Sequence, residues 1–257
     1  MVDPADTGKF KNKEDVKDEL ESLEKRLYEL LYLMFAEGKR SLLIVLHGID
    51  TAGKDGVVRH LFSFANPQGL RVYSFKKPSA EELRHDFLWR CHIKAPEAGF
   101  ATIFNRSYYE EVTTVKVHPE LLKNQHLPDE IVNDPNIFKK RYQHINEFEC
   151  FLTESGTQVV KFLLHISKDE QKKRLEERIK DHTKNWKYSP DDAQERKFWD
   201  DYMKVFEEMI KNTSTKEAPW YVIPSDNKWY RNYLITKTLV ERLEKLKMKF
   251  PRVQERG

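Results

Sequence analysis

Apolar residues recur at three- and four-residue steps through Val16, Leu20, Leu23, Leu27, Leu30, Leu31 and Met34, which predicts one long amphipathic helix ended by Gly38. Such a helix can pack on its own domain or on another subunit. Leu42 to Leu46 is then a continuous apolar run of strand length, the pattern of a strand buried on both faces of a parallel sheet. A glycine-containing loop follows, and a helix through Val57, Val58, Leu61 and Phe62 runs to Asn66-Pro67. The order strand, glycine loop, helix is the context of a phosphate-binding P-loop.

The alternation continues. Leu70 to Phe75 reads as a second strand, and Ser79 with Glu82 three residues on has the capping-box pattern of a helix start. Phe100 to Phe104 is a third strand, Asn136 to Glu154 a helix, Val159 to Ile166 a fourth strand and Trp220 to Ile223 a fifth, stopped by Pro224. Asp226 opens a long terminal helix. Between the last two strands, Lys168 to Lys180 is a charged helix that Asp181 to Tyr188 interrupts. Ser189-Pro190-Asp191-Asp192 has the residues of a new helix start. Two helices joined by a basic turn predict a lid over residues 168–197. The expected architecture is α/β: a parallel sheet of about five strands flanked by helices, in one domain over residues 1–257 with residues 1–40 as an N-terminal helical segment.

Composition narrows the class. With 39% hydrophobic and 34% charged residues among 257, the chain reads as globular, with no apolar run of membrane-spanning length and no apolar signal core in its polar start. A cytoplasmic protein without membrane or nucleic-acid partners is the expectation. The net charge of +3 says little about partners, but Gln171 to Tyr188 holds seven Lys or Arg against three Asp or Glu and is able to face a polyanion. Cys91 and Cys150, far apart, form no zinc pattern and are expected to be core thiols.

The chemistry centres on Gly48-Ile49-Asp50-Thr51-Ala52-Gly53-Lys54-Asp55-Gly56, which satisfies the G-x-x-x-x-G-K core of the Walker A pattern. The glycines let successive N–H groups point at phosphate oxygens, the helix N-terminus adds positive potential, and Lys54 supplies a mobile cation. Asp55 stands where that motif usually carries a Mg²⁺-binding Ser or Thr, so Asp50 inside the loop becomes the candidate acid for the metal or its waters. The second site is Asn105-Arg106 at the carboxyl end of the third strand, the edge beyond which open α/β sheets bind ligands. Asn105 is neutral, and Glu110, five residues on, is the carboxylate expected to balance a metal there. Arg106 is a candidate phosphate clamp, Lys76, Lys77 and Arg90 extend a basic track, and Arg174, Arg178, Lys184 and Lys187 are the lid cations, with Trp186 among them.

These landmarks, with Asn66-Pro67-Gln68-Gly69, Lys76-x-Pro78-Ser79-Ala80-Glu81-Glu82, Asp86-Phe87-Leu88-Trp89-Arg90, Val117-His118-Pro119-Glu120 and Lys184-Asn185-Trp186-Lys187-x-Ser189-Pro190, resemble the polyphosphate kinase 2 family, specifically its class III members. The resemblance runs from the first long helix to about Leu246. It implies a thymidylate-kinase-like, P-loop NTPase-like fold with a helical lid. It also implies Mg²⁺ dependence, with Mn²⁺ as a substitute, and transfer of the terminal phosphoryl group of inorganic polyphosphate to AMP and ADP. Asp50, Lys54, Arg106 and Arg178 map onto the family's functional residues, and Asn105 with Glu110 matches the swapped pair of class III. Gly48, Thr51, Ala52, Gly53, Asp55 and Gly56 are then phosphate- and nucleotide-binding together with Lys54, Arg106, Glu110 and Arg178. Lys76, Lys77, Arg90, Arg106, Lys184 and Lys187 would carry polyphosphate, and Asp50, Asn105 and Glu110 the metal. Adenine nucleotides are the expected acceptors, with guanine nucleotides as the alternative, and a homotetramer is the expected assembly. The competing readings are an ATP-dependent nucleoside monophosphate kinase and a non-catalytic polyphosphate or nucleotide sensor.

Overall fold

The first apolar stripe forms helix α1, Lys17–Glu37, which buries Leu27, Leu30 and Met34 and ends where Gly38 turns left-handed at φ 65° and donates its N–H to the Met34 carbonyl. A residue with a Cβ is disfavoured in that conformation, which is why the helix stops there. The computed structural model describes residues 2–183, 185–187 and 194–252, without the side chain of Lys187. Val16 falls in a short turn ahead of α1 and packs against Tyr230 and Tyr233 of the last long helix.

Five strands make one parallel sheet: β1 Ser41–His47, β2 Leu70–Ser74, β3 Ala101–Asn105, β4 Thr157–His165 and β5 Trp220–Pro224, in the order β2-β3-β1-β4-β5. β1 lies at the centre with all seven residues buried, which accounts for its unbroken apolar run. The other long helices are α2 Lys54–Phe62, α3 Ile137–Glu154, α4 Lys168–Lys180, α5 Trp199–Thr213 and α6 Lys228–Glu244. Helix α1 packs on α6 of its own chain, where Tyr233 donates to Glu19 at 2.8 Å and Arg26 to Glu244 at 3.0 Å. Tyr28 and Tyr32, stacked with centroids 6.3 Å apart, stay exposed on its outer side. Among the described residues no helix is long and apolar enough to cross a membrane.

A buried polar tie crosses this core. Lys161 of β4 reaches Glu149 of α3 at 2.5 Å, and Glu149 also accepts the hydroxyls of Tyr108 and Tyr109 at 2.8 Å each, with all four residues essentially fully buried. The tie anchors the chain just after β3, the segment that carries Glu110 towards the site.

Two expectations change. The Ser79–Glu82 capping box forms in both directions but opens only a single turn, Glu82–Arg84, because Asp86 accepts the N–H groups of Leu88 and Trp89 and starts a separate turn. Cys91 is buried as expected, but Cys150 is exposed on α3. Its face of the helix turns away from the sheet, a choice that a weakly polar residue leaves to its neighbours. The stretch between β3 and α3 carries short turns at Tyr108–Val112, Thr114–Val117, Pro119–Asn124 and Asp129–Val132 that no periodicity announces. The helix start expected at Ser189 to Asp192 and the lid cation Lys184 lie outside the described residues.

Candidate active site

The loop that leaves β1 is shaped by positive backbone angles: Gly48 at φ 140°, Thr51 at 65° and Gly53 at 108°. A Cβ on Gly48 would fall 2.6 Å from the Leu164 carbonyl of β4, and one on Gly53 would fall 2.1 Å from Nη1 of Arg231. Glycine alone fits either place without displacement. Lys54 is the first residue of α2, and its Nζ folds back to donate to the carbonyls of Gly48 at 2.5 Å and Ile49 at 3.1 Å. Burial pushes its ammonium down to about 8, and the Arg106 charge adds to this against the opposing pull of Asp50 and Glu110.

Arg106 follows β3 with φ 64°, a left-handed angle that turns its side chain out of the strand direction, and its Nη2 donates to Asp50 Oδ1 at 2.5 Å. Four residues on, Glu110 accepts the Thr114 hydroxyl at 2.5 Å and lies 3.8 Å from His47 Nδ1. Burial alone would raise its carboxyl, but Arg106 first, then the Thr114 hydroxyl and Lys54, hold it below the ordinary glutamate value. Glu110 is therefore ionised at neutral pH.

These groups share a cavity of about 160 Å³ with Gly48, Ile49, Thr113, Gln171, Glu195, Tyr202 and Phe206. Among the described residues of its wall, Asp50, Glu110 and Glu195 set three carboxylates against the guanidinium of Arg106. A phosphate enters such a cavity only if cations offset the negative wall. Among the described residues no group of three or more His, Cys, Asp or Glu side chains is arranged as a metal cage. Asp50 and Glu110 nevertheless fit the usual Mg²⁺ mode, in which one or two carboxylates suffice and waters and phosphates complete the shell.

The expected site residues divide by place. Gly48, Asp50, Arg106 and Glu110 line the cavity, and Thr51, Ala52, Gly53, Lys54, Asp55 and Gly56 form the loop and helix start beside it. Asn105 is not part of that wall: its amide donates to Asp55 at 2.9 Å and approaches Ser74 Oγ at 3.4 Å. Lys76 and Lys77 are exposed past the end of β2. Arg90 does not join them on the surface; its guanidinium donates to the Lys76 carbonyl at 2.9 Å over the ring of Phe75, so it braces the loop that presents the two lysines. Arg178 is half-buried on α4, outside the cavity wall. Arg174, expected as a lid cation, is buried instead: it donates to the carbonyls of Thr51, Ala52, Ser225 and Asp226 and to Glu170. Lys184 and the side chain of Lys187 lie outside the described residues, while Trp186 is 74% exposed.

Several lining residues escaped the sequence pattern. Gln171 donates to the Asp50 carbonyl at 3.2 Å and accepts from Arg196 at 2.7 Å, and Glu195 accepts from the Tyr202 hydroxyl at 2.9 Å. No local signal marks them, since they reach the cavity only when α4 and α5 fold over the loop. His47 had a signal: it is the polar residue that directly follows the apolar run Leu42 to Leu46 of the central strand.

A parallel sheet in this order, with a glycine loop and its lysine at the end of the central strand, defines an α/β protein of P-loop kinase-like fold. The sequence model of the family "Polyphosphate kinase 2 (PPK2)" matches residues 10–251, and the chain belongs to that family. It is 44% identical over 242 residues to the ADP-polyphosphate phosphotransferase of Rhodopseudomonas palustris, covering 94% of this chain and 84% of that protein. It is 45% identical over 250 residues to the AMP/ADP-polyphosphate phosphotransferase of Meiothermus ruber, covering 97% and 89%. The crystal structure of polyphosphate kinase 2 from Arthrobacter aurescens TC1 superposes with a TM-score of 0.89 at 42% identity, over 98% of this chain and 87% of that one. The chain is an enzyme of this phosphotransferase kind.

Proposed function

We propose that the enzyme transfers the terminal phosphoryl group of inorganic polyphosphate to both AMP and ADP, as a class III member of its family. The observation that carries the class is the position of charge in the cavity: residue 105 is the neutral Asn105, and the carboxylate that joins Asp50 is Glu110. The name of the Meiothermus ruber relative, which includes both AMP and ADP, supports the same reading.

In this reading Lys54 leaves the carbonyls of Gly48 and Ile49 to meet phosphate oxygens, and Arg106 turns from Asp50 to grip them in pairs. Both cations then take up charge that spreads over the transferred group, which is most of what phosphoryl transfer asks of a protein. Lys76 and Lys77 hold the polyphosphate chain beyond the sheet edge, and Arg178 closes on the phosphates from the lid. Asp50 and Glu110 would hold Mg²⁺, or Mn²⁺ in its place, whose charge lets a polyphosphate approach the acidic wall. Asn105, engaged with Asp55, orients that carboxylate at the start of α2. The homotetramer belongs to the same proposal, and sedimentation of the purified protein tests it.

A donor swap tests the function: protein, Mg²⁺ and AMP or ADP are given either long-chain polyphosphate or ATP, and the nucleotides are separated by chromatography. ADP and ATP made from AMP with polyphosphate alone are expected. Product from ATP alone would make the protein a nucleoside monophosphate kinase, and phosphorylation of only one of the two acceptors would remove the class III assignment.

A further inference from the structure

The last residue of the central strand carries a lone pair that no other described residue uses. His47 is 2% exposed and lies in the wall of the cavity. Its ring is held edge-on by Phe206 at 5.5 Å and lies beside Tyr109 and Trp220, so its orientation is set by packing. Nε2 lies 3.2 Å from the Thr113 hydroxyl. That hydroxyl already donates its single proton to the Tyr109 carbonyl at 2.8 Å, so it accepts from the ring, and Nε2 carries the imidazole proton. Nδ1 is left as an acceptor, buried and, among the described residues, without a hydrogen-bond partner.

What faces Nδ1 is a second acceptor. Glu110 Oε1 lies 3.8 Å away, too far for a direct bond and close enough for one small donor to reach both atoms. A buried acceptor without a donor is costly, and two side by side mark a place built for a molecule that brings protons. The rest of the wall is also rich in acceptors, with Asp50 and Glu195 on it. A water polarised by a cation suits this surface better than a phosphate oxygen, which brings no proton.

We propose that His47 is a positioning residue: Nδ1 and Glu110 Oε1 together accept from one water in the coordination shell of the divalent cation, and so set where that cation stands. The inference rests on the Mg²⁺ part of the functional reading. Outer partners of this kind typically change metal affinity by about 10–100-fold when removed.

Two substitutions separate this from a packing role. His47→Gln places an amide nitrogen near the position of Nε2 and keeps the bond to Thr113, but has no acceptor at Nδ1. His47→Asn offers an amide oxygen near Nδ1 and gives up Thr113. Binding of Mn²⁺–ADP to the full-length protein is read by water-proton relaxation, and thermal unfolding is followed alongside. The expected result is a roughly tenfold weaker capture of Mn²⁺–ADP by His47→Gln with its melting temperature kept, while His47→Asn binds near wild type despite a lower melting temperature. Wild-type capture by His47→Gln would overturn the proposal, as would a loss in both variants that follows their melting temperatures. If the wild-type protein itself gives no relaxation enhancement, the metal reading fails, and this inference with it, whereas activity in the donor swap stands apart from either.

Discussion

Arg106 Nη2 meets Asp50 Oδ1 at 2.5 Å, which joins the first residue after β3 to the middle of the loop that leaves β1. The two chain segments are neighbours because β1 and β3 pair in parallel, with Leu46 opposite Asn105. Both side chains also line the cavity, and in the proposed function this contact is the resting arrangement that ligands compete for.

Removal of either partner is expected to cost turnover far more than stability. The pair is about a third exposed, and surface ion pairs contribute little to folding. Asp50→Asn and Arg106→Ala should each lower kcat/KM by about 10²–10³-fold. The double variant should fall little further, because groups that act as a unit are not additive. Steady-state kinetics on the three variants, with melting curves, checks this.

Lys54 makes the alkaline limb of activity predictable. Its folded value of about 8 lies below the ordinary 10.5, so the unliganded enzyme loses the cation as pH rises through about 8. The expected profile of kcat/KM is level near neutrality and falls above that point, while polyphosphate binding at pH 8.5 takes up a proton. Titration calorimetry in buffers of different ionisation enthalpy reads that uptake, and Lys54→Arg should remove it. The sign for stability is opposite to that for activity: between about 8 and 10.5 the unfolded chain binds the extra proton, so this residue adds stability as pH rises.

The Glu149–Lys161 tie should behave as a buried pair. Glu149→Gln leaves the Lys161 charge without its counter-charge among Tyr109 and the Thr213 carbonyl, and is expected to cost about 3–5 kcal/mol in denaturant unfolding. Replacing both residues by Leu and Met should recover only part of that loss, since it removes two desolvation costs but leaves the hydroxyls of Tyr108 and Tyr109 and the Thr213 carbonyl without the partners they have now.

The two cysteines should separate cleanly by reactivity. Burial pushes the Cys91 thiol up to about 12, whereas Cys150 is exposed and raised chiefly by the charge of Glu154. A colorimetric thiol reagent should modify one thiol per native chain and two in denaturant, and Cys150→Ser should abolish the native reaction. Glu154→Gln should speed it.

Much of this protein is legible locally. The strand runs, the helix stripes, the stop at Gly38 and the glycine loop with its lysine follow from periodicity and backbone freedom, which neighbouring residues largely determine. Arg90 and Arg174 show where such reading ends. Both read from the sequence as cations for phosphate, because charge is visible in a sequence and its partner is not. One braces the loop before Pro78 and the other ties the carbonyls of Thr51 and Ala52 to those at the start of the last helix. Backbone carbonyls are everywhere along a chain, so only their placement in space tells which guanidinium they will claim.

The sequence by itself determined the class of fold and the glycine loop with its lysine, because local backbone geometry and residue chemistry suffice for these, and it named Asp50 and Glu110 as candidate acids. The tertiary structure alone decided that Glu110 and not Asn105 joins Asp50 in one cavity, that Glu195, Gln171 and Tyr202 also line it, and that His47 presents there a lone pair no other described residue uses. Those facts depend on parallel pairing of strands far apart in the chain and on helices α4 and α5 closing over the sheet edge. No periodicity along one strand of residues encodes the distance between two side chains that different elements deliver.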